Sequence, residues 1–252
     1  MVPAVLTQQR LPVFAIALLS AGALAYEVLL MRLFSIVQWH HFAYMVISLA
    51  LLGYGVSGTF LSLVQKRLMS RFHAAFCGNI GLFGVSSVCC YLLAQQVPFN
   101  PETVLWDIHQ PLRLLLMYLL LATPFFFAAN AVAIAFIGFR GHIAGAYAAD
   151  LLGAGLGSLG VIALLSLAQP LTALGVVGAL GLMSLLVAVW ELRLASRMAW
   201  SGAAIAGALV LVWGAQQAGL ALSPYKELSQ ILRIAGTRVV NASSSPLGFL
   251  TV

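Results

Sequence analysis

Apolar residues run along this chain in long blocks, separated by short polar or basic stretches. Seven blocks stand out, over residues 11–34, 41–64, 74–93, 112–139, 143–167, 171–190 and 199–220. Each is close to the ~20 apolar residues that an α-helix needs to cross the hydrocarbon core of a bilayer. The other spanning structure, a closed β-barrel, reads as segments of about ten residues that alternate apolar and polar. Here the blocks are continuous and rich in Leu, Ala and Gly. The pattern therefore predicts an all-α fold, a polytopic transmembrane bundle of about seven helices over residues 1–220. A short soluble tail is expected over 221–252.

Composition supports the same picture. Of 252 residues, 62% are hydrophobic and 7% charged, against the ~25% charged residues of an ordinary soluble domain. So few charges cannot cover a water-facing surface, so lipid is the expected solvent and partner. The block after Arg10 is too long for the apolar core of a signal peptide, and it reads as the first span. The net charge of +6 comes without a basic face interleaved with aromatics, so nucleic acid is not an expected partner. Cys77, Cys89 and Cys90 fall inside one apolar block and read as small core residues.

Loop charges suggest an orientation. Lys66, Arg67 and Arg71 follow the second block, Arg140 the fourth, and Arg193 and Arg197 the sixth. The positive-inside rule then places the N-terminus in the cytoplasm. An odd number of spans puts the tail outside, although it carries Lys226, Arg233 and Arg238. The longest connection, 97–113, reads as an interfacial cap on the outer face. Trp39, Tyr44 and Trp106 suit an aromatic belt. Pro124 lies within the fourth block, where it removes a backbone donor and is expected to kink the helix.

Candidate chemistry is sparse. G-x-G-x-x-G occurs at Gly53, Gly55, Gly58 and again at Gly155, Gly157, Gly160. No strand precedes either, so the dinucleotide reading is rejected. Gly53-x-x-x-Ser57 and Gly153-x-x-x-Gly157 read instead as close-packing faces. Two carboxylates, Glu27 and Asp150, fall within spans. Such charges normally face a bundle interior or cavity, as substrate or proton sites or as structural hydrogen-bond partners. Glu27 is expected near the outer interface and Asp150 in the inner half, so the two are not expected to pair. Arg32, five residues after Glu27, is poorly placed for a bridge to it. Tyr147 lies one turn before Asp150 as a neighbour. Asn130 and Asn79 read as interhelical hydrogen-bond donors. Trp39, His40 and His41 form an interfacial polar cluster. The i, i+4 spacing of helical metal ligands is missing there, and no metal or catalytic residue is assigned.

Several segments in order carry a resemblance: YEVLLMRLF at 26–34, WHHFAYM at 39–45, LGYGVSG at 52–58, PFFFA at 124–128, YAADLLGAGLGS at 147–158, SPYKEL at 223–228 and SSPLG at 244–248. Together they resemble the membrane region of bacterial integral-membrane spermidine synthase-like proteins, also described as polyamine aminopropyltransferase-like. The resemblance implies a bacterial cytoplasmic membrane location. It also implies a following Rossmann-like domain that uses decarboxylated S-adenosylmethionine to transfer an aminopropyl group to putrescine. The tail then reads as the lead-in to that domain, with strands near 238–241 and 249–252. No catalytic residue of the family falls on this sequence, and without that domain no transferase activity is expected. On this view the bundle anchors or serves a catalytic domain. The alternative is a permease-like bundle for a small, cationic solute. Glu27, Asp150, Pro124 and the glycine-rich helices favour it, although the two halves show no convincing internal repeat.

Overall fold

A computed structural model describes residues 10–37, 44–100, 103–104, 106–220, 242–244 and 249–251. Seven α-helices follow in order: α1 (Val13–Val37), α2 (Met45–Ser70), α3 (Phe72–Ala94), α4 (His109–Gly138), α5 (Ile143–Leu167), α6 (Pro170–Glu191) and α7 (Arg197–Gln217). All seven are long and apolar enough to cross a membrane. The protein is a multi-pass helical bundle. In the tail, β1 (Ala242–Ser244) pairs antiparallel with β2 (Phe249–Thr251), Ser243 opposite Leu250. The second strand falls where one was expected. The expected strand at 238–241 lies outside the described residues, as do Trp39, His40 and His41.

The helix ends follow local chemistry. At ~1.5 Å per residue, the 26 residues of α2 exceed the ~30 Å hydrocarbon core. The helix continues through Lys66 and Arg67, which the apolar pattern leaves in a loop. Arg71 alone separates it from α3. A three-residue 3-10 turn, Arg140–His142, joins α4 to α5. Pro170 opens α6 at a position where its missing N–H leaves no bond unmade. At the other end of α6, Leu194 N–H bonds the Val189 carbonyl across Arg193, whose φ is 52°. This is the closing turn that glycine usually makes. α4 runs as one helix through Pro124, and in the preceding turn Thr123 Oγ1 donates to the Leu119 carbonyl at 2.7 Å.

Apolar surface does little to draw helices together in lipid, so close backbone packing and interhelical hydrogen bonds must hold the bundle. α1 and α6 are the most enclosed helices and α7 the least. α5 packs chiefly on α1, α2 on α4, and α3 on both α4 and α6. Gly153 and Gly157 lie against the backbone of Ala17 and Ala21, where any Cβ would overlap their carbonyls. The shared direction of these two contacts makes α1 and α5 parallel. Gly53 also meets α4 closely: a Cβ there would stand 2.6 Å from Phe125 Cβ. Both close-packing faces read from the sequence are therefore used.

One end of the bundle gathers the start of α1, the α2–α3 link, the α4–α5 turn and the end of α6. Phe72 meets Phe139 there, with ring centroids 5.6 Å apart. Glu191, the last residue of α6, accepts the N–H groups of Phe14 (3.1 Å) and Ala15 (2.9 Å) at the start of α1. A carboxylate at a helix N-terminus satisfies free donors and complements the helix dipole. Ser184 adds a 2.7 Å bond to the Ala15 carbonyl. The opposite end is capped by the α3–α4 connection. There Asp107 accepts from His109 N–H and from Gln110 Nε2, both at 3.0 Å, and lies 3.7 Å from Arg113. The carboxyl of Asp107 is held below its ordinary range, first by the His109 N–H.

Candidate functional site

Inside the spans, a cleft of about 360 Å³ opens where α2 and α5 stand apart. α1 and α4 form its back wall through Ala23, Leu24, Ala128 and Val132, and Phe136 closes one side. Ser20 from α1, Tyr54 from α2 and Asp150 from α5 supply its polar groups. Asp150 enters the cleft because Gly153 brings α5 against α1, leaving the residue one turn earlier to reach the α1 surface. Ser20 Oγ donates to Asp150 Oδ1 at 2.5 Å. Both residues lie seven positions into their helices, about 10 Å from the basic end. Among the described residues Asp150 has no cationic partner. An aspartate at the bilayer centre costs ~3 kcal/mol on insertion scales, and one hydroxyl donor offsets only part of that.

Glu27 stands seven residues beyond Ser20, two turns along the same stripe of α1, and is half-buried. It makes no hydrogen bond or ion pair among the described residues, with Arg32 included. Glu27 lies 14 residues into α1 and Asp150 seven into α5, a difference of about 10 Å along the parallel pair. Glu27 does not line the cleft, whereas Tyr54 and Asp150 do. Tyr147 does not line the cleft. It is half exposed and packs edge-on to Phe136, with ring centroids 6.5 Å apart.

A second polar contact lies nearby between α2 and α4. Ser57 Oγ donates to Asn130 Oδ1 at 2.8 Å, and both side chains are buried. Asn130 thus joins two helices as expected, but as acceptor, and its Nδ2 has no partner among the described residues. The expectation for Asn79 fails: its Nδ2 donates to Ala75 of its own helix, since one turn back is the nearest acceptor. Cys89 is exposed on the bundle surface while Cys77 is buried, so the cysteines do not share one core position.

Sequence reasoning missed Ser20 and Glu191. Ser20 carried a weak signal, a lone hydroxyl seven residues before Glu27 on one helical face. Glu191 carried another, as an acid at an otherwise basic end. No protein-family profile, characterised protein or solved structure matches this chain.

Proposed function

We propose that the bundle binds a positively charged amine in the Asp150 cleft, within the cytoplasmic membrane of a bacterium, with the N-terminus on the cytoplasmic side. The observation that carries this reading is the carboxylate of Asp150 at the wall of an intramembrane cleft, oriented by Ser20 and without a cationic partner among the described residues. A cationic ligand would supply the missing charge, and the apolar walls would strengthen the attraction by excluding water. Lys66, Arg67, Arg71, Arg140, Arg193 and Arg197 at one end support the orientation.

Two physiological settings suit such a site. In the first, the chain is the membrane region of a spermidine synthase-like protein and serves an aminopropyltransferase-like domain with an amine. The ordered segments at 26–34, 52–58 and 147–158 support it. In the second, the bundle is a permease for a small cationic solute, which the position of the cleft within the spans favours.

The test is calorimetric titration of the protein in lipid nanodiscs with amines of increasing chain length, from ethylammonium to dodecylammonium, beside matched neutral alcohols. Saturable binding of at least one amine, weakened tenfold or more by Asp150→Asn, is the expected result. Asparagine keeps an acceptor for Ser20 and removes only the charge. Amine binding that is indifferent to this substitution, or no saturable binding at all, would end the proposal.

A further inference from the structure

Where the cleft opens says what kind of amine can reach it. α2 packs on α4 and α5 on α1, whereas α2 and α5 make little or no contact with each other. The mouth therefore lies between Tyr54, 40% exposed, and the Asp150–Ala154 turn of α5. These positions lie within apolar spans, so the mouth faces lipid. Seven residues of α5 separate Asp150 from the basic end of the bundle, where Arg140 and the other basic residues repel an approaching cation. Among the described residues the lateral mouth carries no basic side chain. Beyond Ser20, Tyr54 and Asp150, every lining residue is Ala, Val, Leu or Phe. A polar head would thus find one charged anchor, and the rest of the wall would suit hydrocarbon.

We infer that the cleft takes its ligand from the bilayer: the ligand is an amphiphile, a positively charged amine on an alkyl tail, admitted sideways between α2 and α5. This rests on the reading of Asp150 as an amine site. A hydrophilic amine would have to shed its water in the hydrocarbon to use this mouth. An amphiphile already resides there, its head drawn inward to Asp150 and its tail left along Leu24, Ala154 and the lipid.

Electron spin resonance of a nitroxide-labelled long-chain alkylamine, with protein in nanodiscs, tests this directly. The expected result is a motionally restricted fraction of about one amine per chain. The matched labelled alcohol should lack it, dodecylammonium should compete it away and ethylammonium should not. Asp150→Asn should reduce it at least tenfold. Ala154→Phe, which narrows the mouth and leaves the carboxylate, should reduce it as well. Equal restriction of amine and alcohol, or no effect of Asp150→Asn, means ordinary boundary lipid and overturns the inference. If ethylammonium binds in an Asp150-dependent way and the labelled amine does not, the amine site stands and lateral admission falls. If neither binds, both fall.

Discussion

The α1–α5 seam and the α3–α6 seam use the same device to different ends. In each, glycine lets two backbones touch: Gly153 and Gly157 against Ala17 and Ala21 in one, and Gly84 against Gly178 and Gly181 in the other. In the second, a Cβ on Gly181 would stand 2.7 Å from Gly84 Cα. The α3–α6 seam is sealed, and its hydroxyls, Ser86 and Ser87, turn back to their own helix. The α1–α5 seam is tighter still at its glycines, but one turn away it commits a hydroxyl to a carboxylate and leaves a cleft beside it. Close packing alone therefore does not make a cleft. The proposed site arises where a polar group is held at the edge of that packing and the next helix stays away.

Four substitutions test that contrast. The largest effect is expected from Gly157→Leu, which forces α1 and α5 apart and should destabilise the bundle by about 3 kcal/mol. Gly155→Ala, on the open side of the same helix, should be neutral or stabilising by up to ~1 kcal/mol. Thermal unfolding in detergent, followed by tryptophan fluorescence, measures both. Should the two behave alike, the seam is not where α5 is held. A smaller effect should follow Ser57→Ala, which leaves the Asn130 amide without its donor and should cost about 1 kcal/mol. Ser87→Ala in the sealed half, where the hydroxyl bonds only its own helix, should change stability by a few tenths at most. A reversed order would contradict the assignment of polar interhelical bonding to the cleft half.

The smallest effect concerns the cap formed by the α3–α4 connection. The carboxyl of Asp107 is depressed in the folded protein by the His109 N–H, Gln110 and Arg113. Its contribution is therefore fully present above its unfolded value and lost as pH falls through the lower folded value. The unfolding midpoints of wild type and Asp107→Asn should differ slightly at neutral pH and converge in strong acid. Because the group is exposed, the difference should also shrink with added salt.

Much of the fold was legible because the requirement is one-dimensional: a span needs a run of apolar residues, and lipid permits little else. All seven helices fall where the apolar blocks lie. The ends were less legible, since the end of a span and the end of a helix are different things. α2 keeps its hydrogen bonds through Gln65, Lys66 and Arg67 into water, and α4 begins at His109, just after the carboxylate of Asp107. The close-packing faces of α2 and α5 were readable from glycine spacing. Their partners were not, because spacing says that a backbone approaches and not which one. The same gap hid Ser20. Asp150 announces itself as a carboxylate in a span, but its donor lies 130 residues away, and only the pairing of α5 with α1 brings them together.

The attachment of Glu191 to the start of α1 also bears on how the protein is made. α1 packs mainly on α5 and α6, both made long after it, and only slightly on α2. Its N-terminal amides meet their carboxylate only after 177 further residues have been synthesised. Until then α1 resides in the membrane without its lasting neighbours, and a nascent chain halted after α4 offers it neither. Assembly cannot proceed by adding each helix to the one before it. The bundle closes late, when its fifth and sixth members arrive and enclose the first.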